Sequence, residues 1–397
     1  MDNGTHTLLG AALSKTRLGR LHRLAPLSLV VAANLPDADI VASLFGGKDS
    51  YLFHHRGITH ALFGIAVQVP LFAGLMKWIE GRCAGRLARA TPHFVHPAAP
   101  VAPPGFTPYL WPALFGLVSH PLLDALNNYG VRPWLPFSDA RYFGDLVFIV
   151  DPWLWLLFGG VALLAGARTR LGTAGWTALA VAASLVVFRS ARSPDHLKWI
   201  WPFAVAALAA LRATRVGVAR PGRTVLVGAL LLATYLVGLE WCAWTAVRNA
   251  LARAPRLASD SVRQPRDTAE PLYVMRSPTV ADPFHWTLCF QVGDVLRWRS
   301  VGLDGSPARG WRNFSEDIES NFSDPDVLRA ARSPKAVAWR HFVRVPSAWK
   351  ETSEDGSVHV FLSDARYQWA RGLSWCVVEI DLSKEAGAAD GDSGRTR

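Results

Sequence analysis

Histidines and aspartates are unevenly spread along this sequence, and the first 151 residues hold five local groups of them. The groups are His6; Asp37 with Asp39; His54, His55 and His60; His120 with Asp124; and the run Asp139, Asp145, Asp151. Imidazole nitrogens and carboxylate oxygens are the donors of catalytic zinc sites. Zinc in such a site polarises a scissile oxygen and brings the pKa of a water down to about 7, which is the chemistry of hydrolysis.

The most mechanical of these groups is Ser119-His120-Pro121-Leu122-Leu123-Asp124. His120 and Asp124 are four residues apart, so a helix sets both on one face. A single such pair is often no more than a satisfied polar spot. This one sits in an apolar run from about Tyr109 to Leu126, where an ionisable group is costly and is functional by default. Three histidines fall within His54-His55-Arg56-Gly57-Ile58-Thr59-His60, out of 12 in the chain. Beside them, Arg56 either snorkels at an interface or clamps an anionic oxygen pair with its planar fork. Asp37 and Asp39 follow Pro36 and suit either a metal site or the N-cap of the next helix.

The elements that must position these residues are membrane segments. Half of the 397 residues are hydrophobic, 18% are charged and 17 are tryptophan, a residue that collects at membrane interfaces. Apolar runs cover about 58–79, 109–126 and 146–167, then shorter stretches of about 174–188 and 199–211, and finally 225–247. A span needs about 20 apolar residues, so the fourth and fifth span only with snorkelling flanks or form a re-entrant pair. The segment 26–45 is a further candidate that carries Asp37 and Asp39. If 58–79 crosses once and 109–126 crosses back, residues 54–60, 120–124 and 139–151 all reach the same face.

One set of loops carries Arg82, Arg86, Arg89, Arg168, Arg170, Arg212, Arg215, Arg220 and Arg223; the opposite set carries Arg132, Arg141, Arg189, Arg192 and Lys198. The positive-inside rule puts the first set in the cytoplasm. The histidines and the C-terminal part are then expected on the outer, periplasmic face of a multi-pass inner-membrane protein. The net charge of +11 is accounted for by these loops. No nucleic-acid-binding motif accompanies it, so nucleic acid is not an expected partner.

Beyond about residue 250 the composition turns polar. Residues 265–385 read as a small β-rich soluble domain. Leu288–Val292 and Val295–Arg299 flank the turn signal Gly293-Asp294, and Val358–Leu362 and Trp375–Leu382 continue the pattern. Residues 386–397 read as a disordered tail. The expected fold is therefore an all-α polytopic membrane domain over 1–250 with a small C-terminal β-rich domain. Cys83, Cys242, Cys289 and Cys376 lie in no zinc-ribbon or redox spacing; Cys289 and Cys376 could pair in an oxidising compartment. The first 25 residues lack the apolar core and cleavage site of a signal peptide.

The ordered motifs resemble those of a family of membrane-bound metal-dependent hydrolases, the DUF457 group, which includes the YdjM- and YfhP-like bacterial inner-membrane proteins. The residues that carry the resemblance are Thr5-His6 with Leu8-Leu9-Gly10, Leu35-Pro36-Asp37-Ala38-Asp39, His55-Arg56-Gly57-Ile58-Thr59-His60 and His120-Pro121-Leu122-Leu123-Asp124. Asn128-Tyr129-Gly130-Val131 and Leu135-Pro136-Phe137-Ser138-Asp139 follow them. The likeness covers about residues 1–160, and the C-terminal part is similar to that of longer YfhP-like members. The order His, Asp, His, His-x-x-x-Asp is also similar, more distantly, to zinc-dependent phospholipase C and the single-strand nucleases. The later His and Glu ligands of that pattern have no clear counterpart here, which leaves Asp145 or Asp151 as substitutes, or fewer metals.

The resemblance and the residues together lead to an expected membrane hydrolase with a divalent metal cofactor, Zn²⁺ by donor type. His60, His120 and Asp124 are its expected ligands, followed by His6, Asp37 and His55. Asp39 would orient a ligand histidine, Arg56 would hold an anionic substrate, and Asp145 and Asp151 would line the substrate site. A site at headgroup level suits a phosphorylated lipid. Two alternatives are a non-catalytic regulator with a structural metal and a membrane transporter. Against the transporter, the ligands gather at one face and only Glu240 is acidic within the spans at about 174–247.

Overall fold

Apolar sequence in a bilayer must satisfy its backbone internally, and helices do so within a single segment. A computed structural model of the chain bears this out for the N-terminal half. It describes residues 1–90, 99–100, 103–166, 169–189, 194–253, 272–308, 315–367 and 375–384. The expected tail at 386–397 lies outside the described residues. In chain order the helices are α1 (Asn3–Leu13), α2 (Ala25–Ala32), α3 (Ser43–His54), α4 (Leu62–Ala90), α5 (Thr107–Asp124), α6 (Pro152–Ala165), α7 (Arg170–Arg189), α8 (Asp195–Ala213), α9 (Val216–Ala219) and α10 (Pro221–Leu251). Tight 3-10 turns at Arg17–Arg20, Leu35–Ala42 and Ile58–His60 link the early helices.

Among the described residues, three segments are long and apolar enough to cross a membrane: Leu62–Arg82 of α4, all of α7, and α10. A fourth is present if Ala25–Ala32 and Leu35–His54, bent by 45°, form one broken span. The lengths depart from the hydropathy runs in two places. The α7 segment has 20 residues, because helical geometry carries on past the apolar core of 174–188 to an arginine at each end. The third run shortens to the 14 residues of α6, because Asp151 caps that helix by accepting from the backbone N–H groups of Trp153 and Leu154.

The chain divides into two compact units. The first is Met1–Ala38, Arg56–Ala243 and Ser277–Pro283; the second is Asp39–His55, Trp244–Arg276 and Phe284–Arg397. The division is not sequential: α3 belongs with the β-rich part, and a short piece of that part belongs with the helices.

In the first unit the packing stripe of α4 is Ile65, Val69, Phe72, Ala73 and Met76, spaced three or four apart as a helix face requires. It meets Tyr109, Ala113 and Leu117 of α5, together with Leu24 and Ala32. Two glycines let the backbone close up around the future site. A Cβ on Gly116 of α5 would lie 2.5 Å from Ala32 Cβ and 3.2 Å from the Leu29 carbonyl oxygen, so α2 and α5 touch nearly backbone to backbone. A Cβ on Gly64 would lie 1.7 Å from the Ile58 carbonyl oxygen; the turn that carries His60 folds back onto α4 through that gap. Gly64→Ala is therefore expected to cost at least about 1–3 kcal/mol as an overpacked position and to displace His60. Thermal unfolding of the detergent-purified protein and its metal content measure the two effects, and a variant with wild-type values for both contradicts this account.

The second unit holds two antiparallel sheets. One has the order β1 (Leu272–Thr279), β2 (Asp282–Val292), β3 (Val295–Gly302), β4 (Ser315–Glu319); the other has β5 (Pro346–Thr352), β6 (Val358–Asp364), β7 (Val378–Asp381). The expected hairpin is present, with Val292 opposite Val295 and Phe290 opposite Arg297. Its core is Met275, Cys289, Leu296, Trp298, Ile318, Val345 and Ala365. The cysteine pairing considered from sequence does not occur: Cys289 and Cys376 are both buried and form no disulfide. Burial in apolar surroundings, with Asp364 adding to it, pushes the Cys289 thiol up to about 12. A thiol whose folded pKa is raised contributes stability that is present below the unfolded value of about 8.5 and is lost as pH rises through about 12. At pH 8 Cys289 is expected to resist iodoacetamide in the folded protein and to react on unfolding; peptide mass spectrometry of the alkylated protein reads both states.

Candidate metal centre

The site in the first unit is assembled from four short pieces of chain. His120 and Asp124 occupy the last turn of α5, one above the other. His60 ends the 3-10 turn before α4, and Asp37 sits in the 3-10 segment Leu35–Ala42. α3 begins at Ser43 with Ala42 at its N-cap, so Asp37 is not the helix cap that the sequence also allowed. His6 faces inward from α1, whose first turn is fixed by Asp2: its carboxylate accepts from the Thr5 backbone N–H at 3.0 Å and from the Thr5 hydroxyl.

One donor atom each from Asp37, His60, His120 and Asp124 lies within 4.8 Å of all the others. Asp37 Oδ1 is 3.4 Å from His60 Nε2 and 3.3 Å from His120 Nε2. Asp124 Oδ2 is 3.5 Å from each of the same two nitrogens. Ligand atoms held about 2.0–2.1 Å from one tetrahedral centre stand about 3.3 Å apart, by the geometry of zinc–nitrogen and zinc–oxygen bonds. The four measured separations fall on that value. They are also longer than good hydrogen bonds between these atoms.

The surroundings fix which atoms face the centre. His120 Nδ1 donates to the Ala33 carbonyl oxygen at 2.7 Å. A carbonyl only accepts, so the proton of the neutral ring is on Nδ1 and Nε2 presents a lone pair inward. His120 Nε2, Asp124 Oδ2 and both ring nitrogens of His6 are buried and make no hydrogen bond among the described residues. Buried polar atoms without partners need an explanation such as an ion. The donor set, two imidazoles and two carboxylates, fits a divalent metal.

Asp124 Oδ1 points away from this centre toward cations. The Arg56 guanidinium is 2.9 Å away and the amino group of Met1 is also in contact. Arg56 further donates to Asn127 Oδ1 at 2.9 Å and lies over the Tyr129 ring, 4.5 Å from its centroid. His6 Nε2 is 3.4 Å from Asp124 Oδ1, and its ring stacks on His120 at 3.7 Å between centroids.

Of the residues expected from sequence, Asp37, His60, His120, Asp124, His6 and Arg56 come together here. Arg56 takes a different part from the expected one: it is 2% exposed, and it is committed to Asp124, Asn127 and Tyr129 rather than open to a substrate. His55 and Asp39 pair with each other in the second unit, Nδ1 to Oδ1 at 2.9 Å. Asp151 was expected to line a substrate site. Instead its Oδ1 caps α6 and its Oδ2 accepts from the Tyr235 hydroxyl at 2.7 Å, and the side chain is buried. Asp145 is also buried, with a positive φ of 50°.

Sequence reasoning missed the Ala33 carbonyl, Asn127 and the Met1 amine as supports of the ligands. It also missed His22 and Glu80, a buried pair at 2.7 Å. A backbone carbonyl has no sequence signal. Glu80 had one, as a carboxylate near the end of the first long apolar run.

Comparison with known proteins agrees with this architecture. Residues 1–194 match the model of the YdjM inner membrane protein family. Over those residues the chain is similar to that family. All the donors described above fall inside the matched region. The chain is also similar to inner membrane protein YbcI of Escherichia coli (strain K12), with 31% identity over 122 residues, 29% of this chain and 54% of that protein. The chain thus spans about half the length of the curated relative it matches. No solved structure matches. Both similarities are to inner-membrane proteins, consistent with the candidate spans.

Proposed function

We propose that the protein is a membrane-bound, metal-dependent hydrolase acting on a phosphoester, most naturally that of a lipid. The observation that carries this reading is the set of four nitrogen–oxygen separations of 3.3–3.5 Å around one centre. The residues that would hold the ion are Asp37, His60, His120 and Asp124, with His6 adjacent. A divalent ion such as Zn²⁺ would supply electrophilic stabilisation of a phosphoryl oxygen and a water with a pKa near 7. The chain's own contributions are positional. Ala33 orients His120, and Arg56 holds Asp124 in its ionised form by charge-assisted hydrogen bonding. Asp37 is the one ligand of the four that is partly open, at 14% side-chain exposure against 0% for the others; substrate would reach the centre past it. The site would lie on the outer face, by the distribution of arginines.

The completeness of that burial also favours a second reading. A closed set of protein ligands is the mark of a structural metal, whereas a catalytic one keeps a position open. The protein would then be a non-catalytic regulator or assembly factor.

Metal analysis of the purified full-length protein tests the shared premise. Wild type is expected to retain stoichiometric metal and the double variant His120→Ala, Asp124→Ala to lose it; unchanged content in the variant sinks the site. A hydrolysis screen over phospholipids, prenyl phosphates and nucleotides then separates the readings. Turnover that disappears on chelation supports the hydrolase. Turnover that survives complete removal of metal overturns the mechanism, and retained metal with no turnover favours the regulator.

A further inference from the structure

A large groove of the helical unit lies away from the four metal donors. It is a groove of about 1170 Å³ bounded by α1, α6, α7 and α8. That exceeds the range of about 300–1,000 Å³ typical of small-molecule sites. Leu8, Trp155, Trp176 and Leu208 give it apolar walls. On α6, Gly159 and Gly160 leave the floor bare; a Cβ on Gly160 would stand 3.1 Å from Leu208.

The groove runs beside α7, whose full burial is confined to one end. Val187, near its C-terminus, is its one buried residue, packed with Leu197 and Trp201 of α8. The rest of α7 is half-buried or exposed, with Trp176 reaching toward Gly159 of α6, although its composition is that of a membrane span. Water cannot favourably fill such a space at membrane depth, so a hydrocarbon must.

The far end of the groove has a different character. Arg212, at the end of α8, lines it there and donates to the Leu163 carbonyl oxygen near the end of α6. Thr173 and Thr177 line both the groove and an adjoining surface pocket that contains Thr169 and Arg170. The guanidinium groups of Arg170 and Arg212 at this end of an apolar groove complement a phosphate with hydrocarbon attached. Basic pockets between membrane helices are where anionic lipid headgroups bind.

We infer that this groove holds an anionic phospholipid, with its acyl chains between α6 and α7 and its headgroup at Arg170 and Arg212. The metal centre lies toward the opposite end of α6, since α1 and Asp2 contact α6 near its start, through Trp155 Nε1 to Asp2 at 3.3 Å. This lipid is therefore a resident ligand and not the substrate, and the inference stands whether or not the metal centre hydrolyses anything.

The test uses full-length protein, delipidated in detergent, and titrates in dioleoyl phosphatidylglycerol or dioleoyl phosphatidylcholine. Native mass spectrometry counts the adducts, and tryptophan fluorescence reports on Trp155 and Trp176. Wild type is expected to bind one phosphatidylglycerol about tenfold or more tightly than phosphatidylcholine, since each arginine near a lipid surface adds about a factor of five. Arg170→Gln with Arg212→Gln is expected to erase the preference while leaving weak binding of both lipids. Ala180→Trp, which fills the groove, is expected to remove both adducts. The arginine variant alters only the basic mouth, so it remains informative if Ala180→Trp fails to fold. Equal binding of the two lipids by wild type, or an unchanged preference in the arginine variant, overturns the inference. So does a dimer, seen by light scattering, that Ala180→Trp dissociates, because a second copy would then be the occupant.

Discussion

Asp124→Ala is expected to abolish metal binding and to destabilise the protein by about 3–5 kcal/mol, the cost of removing one partner from a buried ionic group. Asp124 carries two duties on two oxygens. Oδ2 faces His60 and His120 at 3.5 Å, and Oδ1 faces Arg56 at 2.9 Å and the Met1 amine. Its loss removes a ligand and also takes the carboxylate away from the buried Arg56 guanidinium. Asp124→Asn separates the duties. The amide keeps the volume and one acceptor oxygen but loses the charge, so metal binding is expected to fall with a smaller loss of stability. Metal content by mass spectrometry and the unfolding midpoint in detergent read the two effects independently. Full metal occupancy in Asp124→Ala contradicts the assignment.

Arg56→Ala is expected to weaken metal binding by about 10- to 100-fold without abolishing it. That is the range for outer partners that orient a ligand. Arg56 pairs with Asp124 at 2.9 Å, and its other contacts include Asn127 and the face of Tyr129. Lysine is not expected to restore the site: it lacks the planar fork that reaches Asp124 and Asn127 together, and it stacks less well on an aromatic ring. Competition with a chromophoric chelator measures the affinity of wild type, Arg56→Ala and Arg56→Lys. Wild-type affinity in Arg56→Ala would return Arg56 to the role expected from sequence, a clamp for substrate. The two experiments together distinguish a residue that binds the metal from one that holds a ligand in place.

Much of the site was legible in the sequence because its donors are rare residue types in an apolar setting. His120 and Asp124 could be paired from their spacing alone, because a helix period is fixed by the backbone. His60, His6 and Asp37 could be nominated but not joined to them, since the gaps from 6 to 37 to 60 to 120 are set by how helices pack. Their meeting depends on contacts that leave no mark on the donors themselves. Gly116 lets α5 approach α2, and that approach brings the Ala33 carbonyl to His120 Nδ1. The neighbours of Arg56 and Asp151 were not legible for a common reason. A charged side chain in a polar motif reads as available, and only the fold shows whether a neighbour has already claimed it.

By itself the sequence determined that the N-terminal half is helical and membrane-embedded, that a β-rich part follows, and which residue types could hold a metal. Hydropathy and the 3.6-residue period are local properties, and they suffice for those conclusions. Only the tertiary structure decided that α3 belongs with the β-rich unit and that Cys289 and Cys376 form no disulfide. It alone joined Asp37, His60, His120 and Asp124 into one centre, with Arg56 as its support. Each of those facts is a distance between residues far apart in the chain, set by close packing, which local periodicity does not encode.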